Sequence, residues 1–137
     1  LAKGFELAGI LAIELFITKD DKVIVNELAP RPHNSGHYTI EACSFDQFDA
    51  HIRGIAGWPL EQPQLLKPAV MVNVLGQHVA PTRALIADHP EWNVHDYCKA
   101  EVRHDRKMGH ITVLTDDTAK TVADLEATGC WDDLRKS

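Results

Sequence analysis

The run Leu7-Ala8-Gly9-Ile10-Leu11-Ala12-Ile13-Glu14-Leu15-Phe16-Ile17, the polar break Thr18-Lys19-Asp20-Asp21-Lys22 and the return Val23-Ile24-Val25-Asn26-Glu27-Leu28 decide how this chain is built. Both flanks are rich in aliphatic and β-branched residues, and a turn cluster separates them. The pattern predicts a β-hairpin with strands over 7–17 and 23–28. If Asp20-Asp21 form a two-residue turn, Glu14 falls directly opposite Glu27. Carboxylates placed side by side repel each other unless a cation neutralises them. A hard divalent ion with phosphate oxygens in its shell suits the position. An isolated Glu pair is ordinarily solvated surface. Glu14, however, is flanked by Ala-Ile and Leu-Phe-Ile, a poor context for a solvated face.

Pro30 and Pro32 stop the second strand, so the chain through Gly36 reads as a loop. Arg31 is fixed between the two prolines. Its guanidinium suits bidentate contact with a carboxylate or phosphate, and the stiff loop lowers the entropic cost of aiming it. His33, Asn34 and Ser35 add small polar groups, and Gly36 would let the backbone come close to a ligand. The plain alternative is a turn whose side chains serve only the loop. The density of polar groups directly after Glu27 argues against it. His33 and His37 are spaced like a zinc pair on a helix. The prolines and Gly36 oppose a helix there and no third ligand stands nearby in sequence, so zinc is rejected.

Working outward, residues 38–56 predict a helix, with Ile40, Phe45, Phe48, Ile52 and Ile55 compatible with one face and Ser44 as a possible second start. Gly57 ends it. Glu61-Gln62-Pro63-Gln64 is the best internal boundary. Beyond it come a strand over 69–75, a short helix over 81–89 with Pro81 in its first turn, and strands over 94–98 and 111–114. A helix over 118–128 should turn Ala119, Val122, Ala123 and Leu125 inward, with Gly129 near its C-cap. Between the last two strands lies a basic cluster, Lys99, Arg103, Arg106 and Lys107, which by default would be a solvated loop.

The 137 residues can bury a real core, and 45% hydrophobic with 25% charged residues is ordinary for a globular protein. A formal net charge of -6 argues against a nucleic-acid partner. No apolar run approaches membrane-spanning length. Three widely spaced cysteines, Cys43, Cys98 and Cys130, argue against a disulfide framework and for a cytoplasmic setting. The chain opens at Leu1, without Met, leader or tag, and reads as a piece of a longer polypeptide.

Three stretches carry a resemblance: Ala12-Ile13-Glu14-Leu15-Phe16, then Val25-Asn26-Glu27-Leu28-Ala29-Pro30-Arg31-Pro32-His33-Asn34-Ser35-Gly36-His37, then Arg106-Lys107-Met108-Gly109-His110. Together they resemble the 5-(carboxyamino)imidazole ribonucleotide synthases, the ATPase subunit of phosphoribosylaminoimidazole carboxylase, in the ATP-grasp superfamily. The resemblance implies an α+β chain. Residues 1–62 would be the C-terminal half of an ATP-grasp domain and 63–137 a small β-rich C-terminal α+β domain. It implies a ligase of purine biosynthesis that uses ATP and Mg²⁺ to activate bicarbonate as carboxyphosphate and then carboxylates aminoimidazole ribonucleotide. A cytoplasmic homodimer is the implied assembly.

By the matching motifs, Glu14 and Glu27 would ligate Mg²⁺, and Asn26 with Glu27 would face the ATP phosphates. Arg31, His33, Asn34 and Ser35 would hold bicarbonate or carboxyphosphate and the amine. Lys99 and Arg106, with Lys107 close by, would bind the 5′-phosphate of the ribonucleotide. Asn26 and Glu27 point to opposite faces of a regular strand, so both reach one nucleotide only if the strand twists or bulges. The family's nucleotide-gripping lysines and adenine pocket would precede Leu1, so the chain by itself is expected to be inactive. Two rivals stand beside this reading. One is another purine-pathway ATP-grasp ligase, such as a formate-dependent glycinamide ribonucleotide transformylase. The other is a non-catalytic module that binds a phosphorylated metabolite or mediates dimerisation.

Overall fold

The computed structural model describes residues 1–133 and forms two compact units, residues 1–65 and the unit that begins at Leu66. The chain is α+β, as the sequence implies. Each unit is described by itself.

The first unit opens with a 3-10 turn at Lys3–Phe5 and then forms the hairpin, β1 (Ala12–Ile17) and β2 (Val23–Ala29). The first strand is shorter than predicted. Ahead of it the Ile10 N–H donates to the ring of His51 at 3.1 Å, so the backbone there serves a side chain and not a ladder. The turn also differs. Ile17 pairs with Val23, and a five-residue connection is closed by the Thr18 N–H donating to the Lys22 carbonyl at 2.9 Å. Thr18 and Asp20 add side-chain bonds across it, and Asp21 takes a left-handed conformation.

A longer turn would move Glu27 off Glu14, but the register shifts by one between Glu14 and Leu15. Leu15 faces Val25, Glu14 faces Glu27, and Asn26 is the extra residue of a β-bulge. The expected pairing is therefore present, reached by a different turn and a bulge that compensates for it.

Helices follow. The stretch 38–56 forms two helices, α1 (Thr39–Ala42) and α2 (Gln47–Ala56), the second starting slightly later than the start considered at Ser44. Asp46 caps α2, its carboxylate accepting from the Phe48 and Asp49 N–H groups at 2.7 and 2.8 Å. Gly57 ends α2 as predicted. The supposed inner face is not buried within this unit, because Phe48, Ile52 and Ile55 are all exposed.

One face of the hairpin carries Ile13, Leu15, Ile17, Val23, Val25 and Leu28, 43% to 75% exposed. The buried residues of this unit, among those described, are Ala29, Ala42, Gln47 and Ala50. An amide is thus the largest buried side chain. A two-stranded sheet with an uncovered aliphatic face is marginal by itself.

The second unit has its own core. Strands β3 (Ala69–Leu75), β4 (Asn93–Asp96) and β5 (Lys107–Leu114) form an antiparallel sheet in the order β3-β5-β4. The central strand starts earlier than predicted and is buried from Met108 to Val113. Helices α3 (Val79–Leu85) and α4 (Thr118–Ala127) complete the unit, with Pro81 in the first turn of α3 as expected. Val74, Trp92, Ile111, Val113, Leu125 and Trp131 pack together, and the Trp131 indole N–H donates to the Asn73 carbonyl at 3.0 Å. In α4 the buried residues are Thr121 and Leu125, one turn apart. Ala119, Val122 and Ala123 are exposed, contrary to expectation. The Thr121 hydroxyl is buried because it bonds Thr115 Oγ1 and the Asp117 carbonyl, which an apolar pattern does not register.

Candidate functional site

The bulge decides what the hairpin presents. In a regular ladder Asn26 would face Glu14, and Glu27 would point away. With Asn26 inserted, both side chains lie beside Glu14. Asn26 Nδ2 donates to Glu14 Oε2 at 3.1 Å, and Glu27 is the direct cross-strand partner. This answers the geometric difficulty that the sequence raised.

β2 ends at Ala29, the chain bends at Pro30 and Arg31, and a 3-10 turn at Asn34–Gly36 follows. His33 caps that turn and is placed over the carboxylates. Its Nδ1 lies 3.4 Å from Glu14 Oε1 and its Nε2 lies 3.8 Å from Glu27 Oε2. The ring is only 11% exposed. Ser35 fastens it: the hydroxyl is 2.9 Å from Nδ1, and the Ser35 N–H donates to the same nitrogen at 3.4 Å. Arg31 Nη2 stands 3.7 Å from Glu27 Oε1, and Nη1 donates to the Pro32 carbonyl at 3.0 Å. Asn34 lies in the same turn.

The first unit therefore gathers Glu14, Asn26, Glu27, Arg31, His33 and Ser35 into one cluster. One ligand atom each from Glu14, Glu27 and His33 lies within 4.8 Å of the other two. Two opposed carboxylates, with an amide on one and a guanidinium on the other, suit a hard oxygen-loving cation; Mg²⁺ fits this donor set. A single Arg at 3.7 Å compensates two carboxylates only in part.

Sequence reading missed Gln47, the first residue of α2. Its amide accepts from the His33 N–H at 2.8 Å and donates to the His33 carbonyl at 2.9 Å. It also donates to His37 Nδ1 at 2.7 Å. Gly36 serves this contact: a Cβ there would overlap the Gln47 carboxamide. Its room is taken by Gln47, not by a ligand's approach as the sequence suggested. A capped helix start at Asp46 was the only available signal, and it is common to many helices.

Lys99, Arg106 and Lys107 belong to the second unit. Lys99 Nζ donates to the Lys107 carbonyl at 2.5 Å and stands 5.4 Å from the Tyr97 ring centroid. Arg106 Nη1 donates to the Glu101 carbonyl at 3.3 Å. Arg103, the fourth member of the cluster, pairs with Glu101. Gly76 seats this loop, because the Arg103 carbonyl occupies the place a Cβ would take. A cavity of about 340 Å³ borders Lys99 and is lined by Thr82, Arg83, Asp96 and Met108; Arg106 and Lys107 do not line it. The Arg83 guanidinium, 2.7 Å from Asp96, and the Cys98 N–H hold the Asp96 carboxyl below the usual aspartate range. None of the described helices is long and apolar enough to cross a membrane.

Comparison with known proteins finds a match for each unit. Residues 1–48 match the ATP-grasp domain, and residues 69–124 match the phosphoribosylaminoimidazole carboxylase C-terminal domain. An N5-carboxyaminoimidazole ribonucleotide synthase of Staphylococcus saprophyticus is 50% identical over 88% of this chain and 32% of its own length. The crystal structure of N5-carboxyaminoimidazole synthetase from Staphylococcus aureus complexed with ADP superposes with a TM-score of 0.84 at 49% identity, covering 88% of this chain and 32% of that one. The Aspergillus clavatus synthase in complex with ADP and 5-aminoimidazole ribonucleotide gives 0.78 at 34% identity, over 88% of this chain and 34% of that one. The chain spans about a third of the length of the curated relatives it matches. Each of its two units is thus similar to a part of the N5-carboxyaminoimidazole ribonucleotide synthases, the first to the ATP-grasp domain and the second to the C-terminal domain.

Proposed function

We propose that this chain supplies the cation-binding and acceptor-binding parts of an ATP-dependent ligase that carboxylates aminoimidazole ribonucleotide with bicarbonate in purine biosynthesis. The observation that carries the reading is the bulged Glu14–Glu27 pair with His33 placed over it. Similarity to these synthases over 88% of the chain supports it. In this reading residues 1–62 end the ATP-grasp domain and 63–137 form a separate C-terminal domain.

Bound Mg²⁺ would neutralise the phosphate charge that ATP brings to Glu14 and Glu27. Those carboxylates provide the oxygen donors, and the Asn26 amide holds Glu14 in place while facing the phosphates. A bicarbonate oxygen attacks the γ-phosphorus, the bond to the β-phosphate oxygen breaks, and ADP leaves. Arg31, His33, Asn34 and Ser35 hold the bicarbonate and the carboxyphosphate it becomes. The exocyclic amine then attacks the carboxyl carbon, the C–O bond to phosphate breaks, and the amine loses a proton. No covalent bond to the protein forms. Catalysis rests on positioning and on neutralising developing charge. Lys99 and Arg106, with Lys107, bind the ribonucleotide 5′-phosphate. The enzyme is a cytoplasmic homodimer in this reading; the free Cys43, Cys98 and Cys130 fit a reducing compartment.

The test is product analysis with a full-length ligase carrying this chain. Bicarbonate should give the carboxylated amine of aminoimidazole ribonucleotide. Formate-dependent formylation of glycinamide ribonucleotide would replace this reading with the rival ligase.

A further inference from the structure

We infer that Gln47 is a positioning residue for the bicarbonate end of the site, acting through His33; this rests on the function proposed above. The starting point is a burial anomaly. Gln47 is 8% exposed and is the largest buried side chain among the described residues of the first unit. A buried carboxamide is tolerated only when its donors and acceptor are satisfied. Every partner of this one lies in the loop after β2.

The orientation of the amide is fixed by its partners. Oε1 faces the His33 N–H at 2.8 Å, so the NH₂ group is the atom that meets the His33 carbonyl at 2.9 Å. The same group donates to His37 Nδ1, which must therefore be an acceptor with its ring proton on Nε2. The His37 ring is stacked on Phe48 at 5.6 Å between centroids. Gln47 thus grips both backbone polar groups of His33 and the ring four residues on. The Gln47 N–H is itself held by Thr39 Oγ1 at 3.0 Å, which donates to the Gly36 carbonyl at 2.6 Å. One residue closes the loop at His33, Gly36 and His37.

The consequence is local. His33 has its main chain clamped by Gln47 on one side and its ring turned to Glu14 and Glu27 on the other. Loss of the clamp frees the His33 backbone and the loop that carries Arg31, Asn34 and Ser35. Glu14 and Glu27 are held by the hairpin ladder, so their relation is untouched. The defect should appear in the handling of bicarbonate and leave ATP binding alone. A residue of purely structural value would affect both alike.

The experiment is steady-state kinetics of a full-length ligase carrying this chain, with bicarbonate and ATP varied separately. Gln47→Leu keeps the volume and deletes the polar atoms. It should raise the bicarbonate KM at least tenfold and leave the ATP KM within twofold. In a His33→Ala background the same change should add less than twofold. Gly36→Ala disturbs the amide without altering Gln47 and should give the same selective rise if Gln47→Leu does not fold. Normal turnover with an unchanged bicarbonate KM, equal rises for both substrates, or full additivity with His33→Ala would overturn the role of Gln47. Absence of bicarbonate-dependent turnover in the unsubstituted ligase would overturn the functional reading itself, and this role with it.

Discussion

Asn26 donates its side-chain amide to Glu14 across a β-bulge, at 3.1 Å, and the same bulge brings Glu27 opposite Glu14. The hairpin thereby places two like charges side by side on one face. Removing one should stabilise the cation-free fold, by about 0.2–1 kcal/mol for a cross-strand pair. Glu27→Gln should raise the melting temperature in the presence of a chelator. Asn26→Asp adds a third carboxylate and should lower it, with Mg²⁺ restoring the loss. Thermal melts with chelator and with Mg²⁺ check both directions.

The first unit offers little apolar burial of its own. Ile13, Leu15, Ile17, Val23, Val25 and Leu28 form an exposed stripe. The chain by itself should self-associate, and replacing Leu15 and Val25 with Lys should shift it toward monomer in sedimentation analysis. Spanning about a third of its relatives' length, it should not carboxylate aminoimidazole ribonucleotide alone. Detectable product from the purified chain would contradict that.

The Asp96–Arg83 pair ties the end of β4 to α3. The folded carboxyl is held below the ordinary aspartate value of about 4. A depressed pKa contributes stability that is present above the unfolded value and is lost as pH falls through the folded one. Asp96→Asn should therefore destabilise the protein at neutral pH, by no more than about 1 kcal/mol for a pair this exposed. The gap should close in acid. Denaturant midpoints measured from pH 7 to pH 3 test the sign.

The residue types of the site were legible in the sequence, and part of its geometry was. A carboxylate inside an aliphatic strand and another near the end of the next can be paired by counting back from the turn. The count gave the right partners for the wrong reason: Thr18–Lys22 made a longer turn and Asn26 a bulge, and the two offsets cancelled. Bulges follow from local twist and side-chain bonding, which a period-two pattern does not contain. Gln47 was invisible for a related reason. Its significance lies in three hydrogen bonds to residues ten to fourteen positions earlier, and nothing in its immediate neighbours announces them. In α4 the buried Thr121 displaced the expected alanines because its hydroxyl found two partners. The aliphatic hairpin face read correctly as strand, but sequence could not say that it stays exposed.

The central claim is that Glu14 and Glu27 form the cation site of a bicarbonate-using ligase. Its most direct test is bicarbonate-dependent ADP release, with aminoimidazole ribonucleotide present, by a full-length ligase carrying this chain, compared with Glu14→Gln and Glu27→Gln. The account predicts that turnover collapses in both variants while each remains folded. Turnover that survives in both would contradict it and favour a non-catalytic binding module.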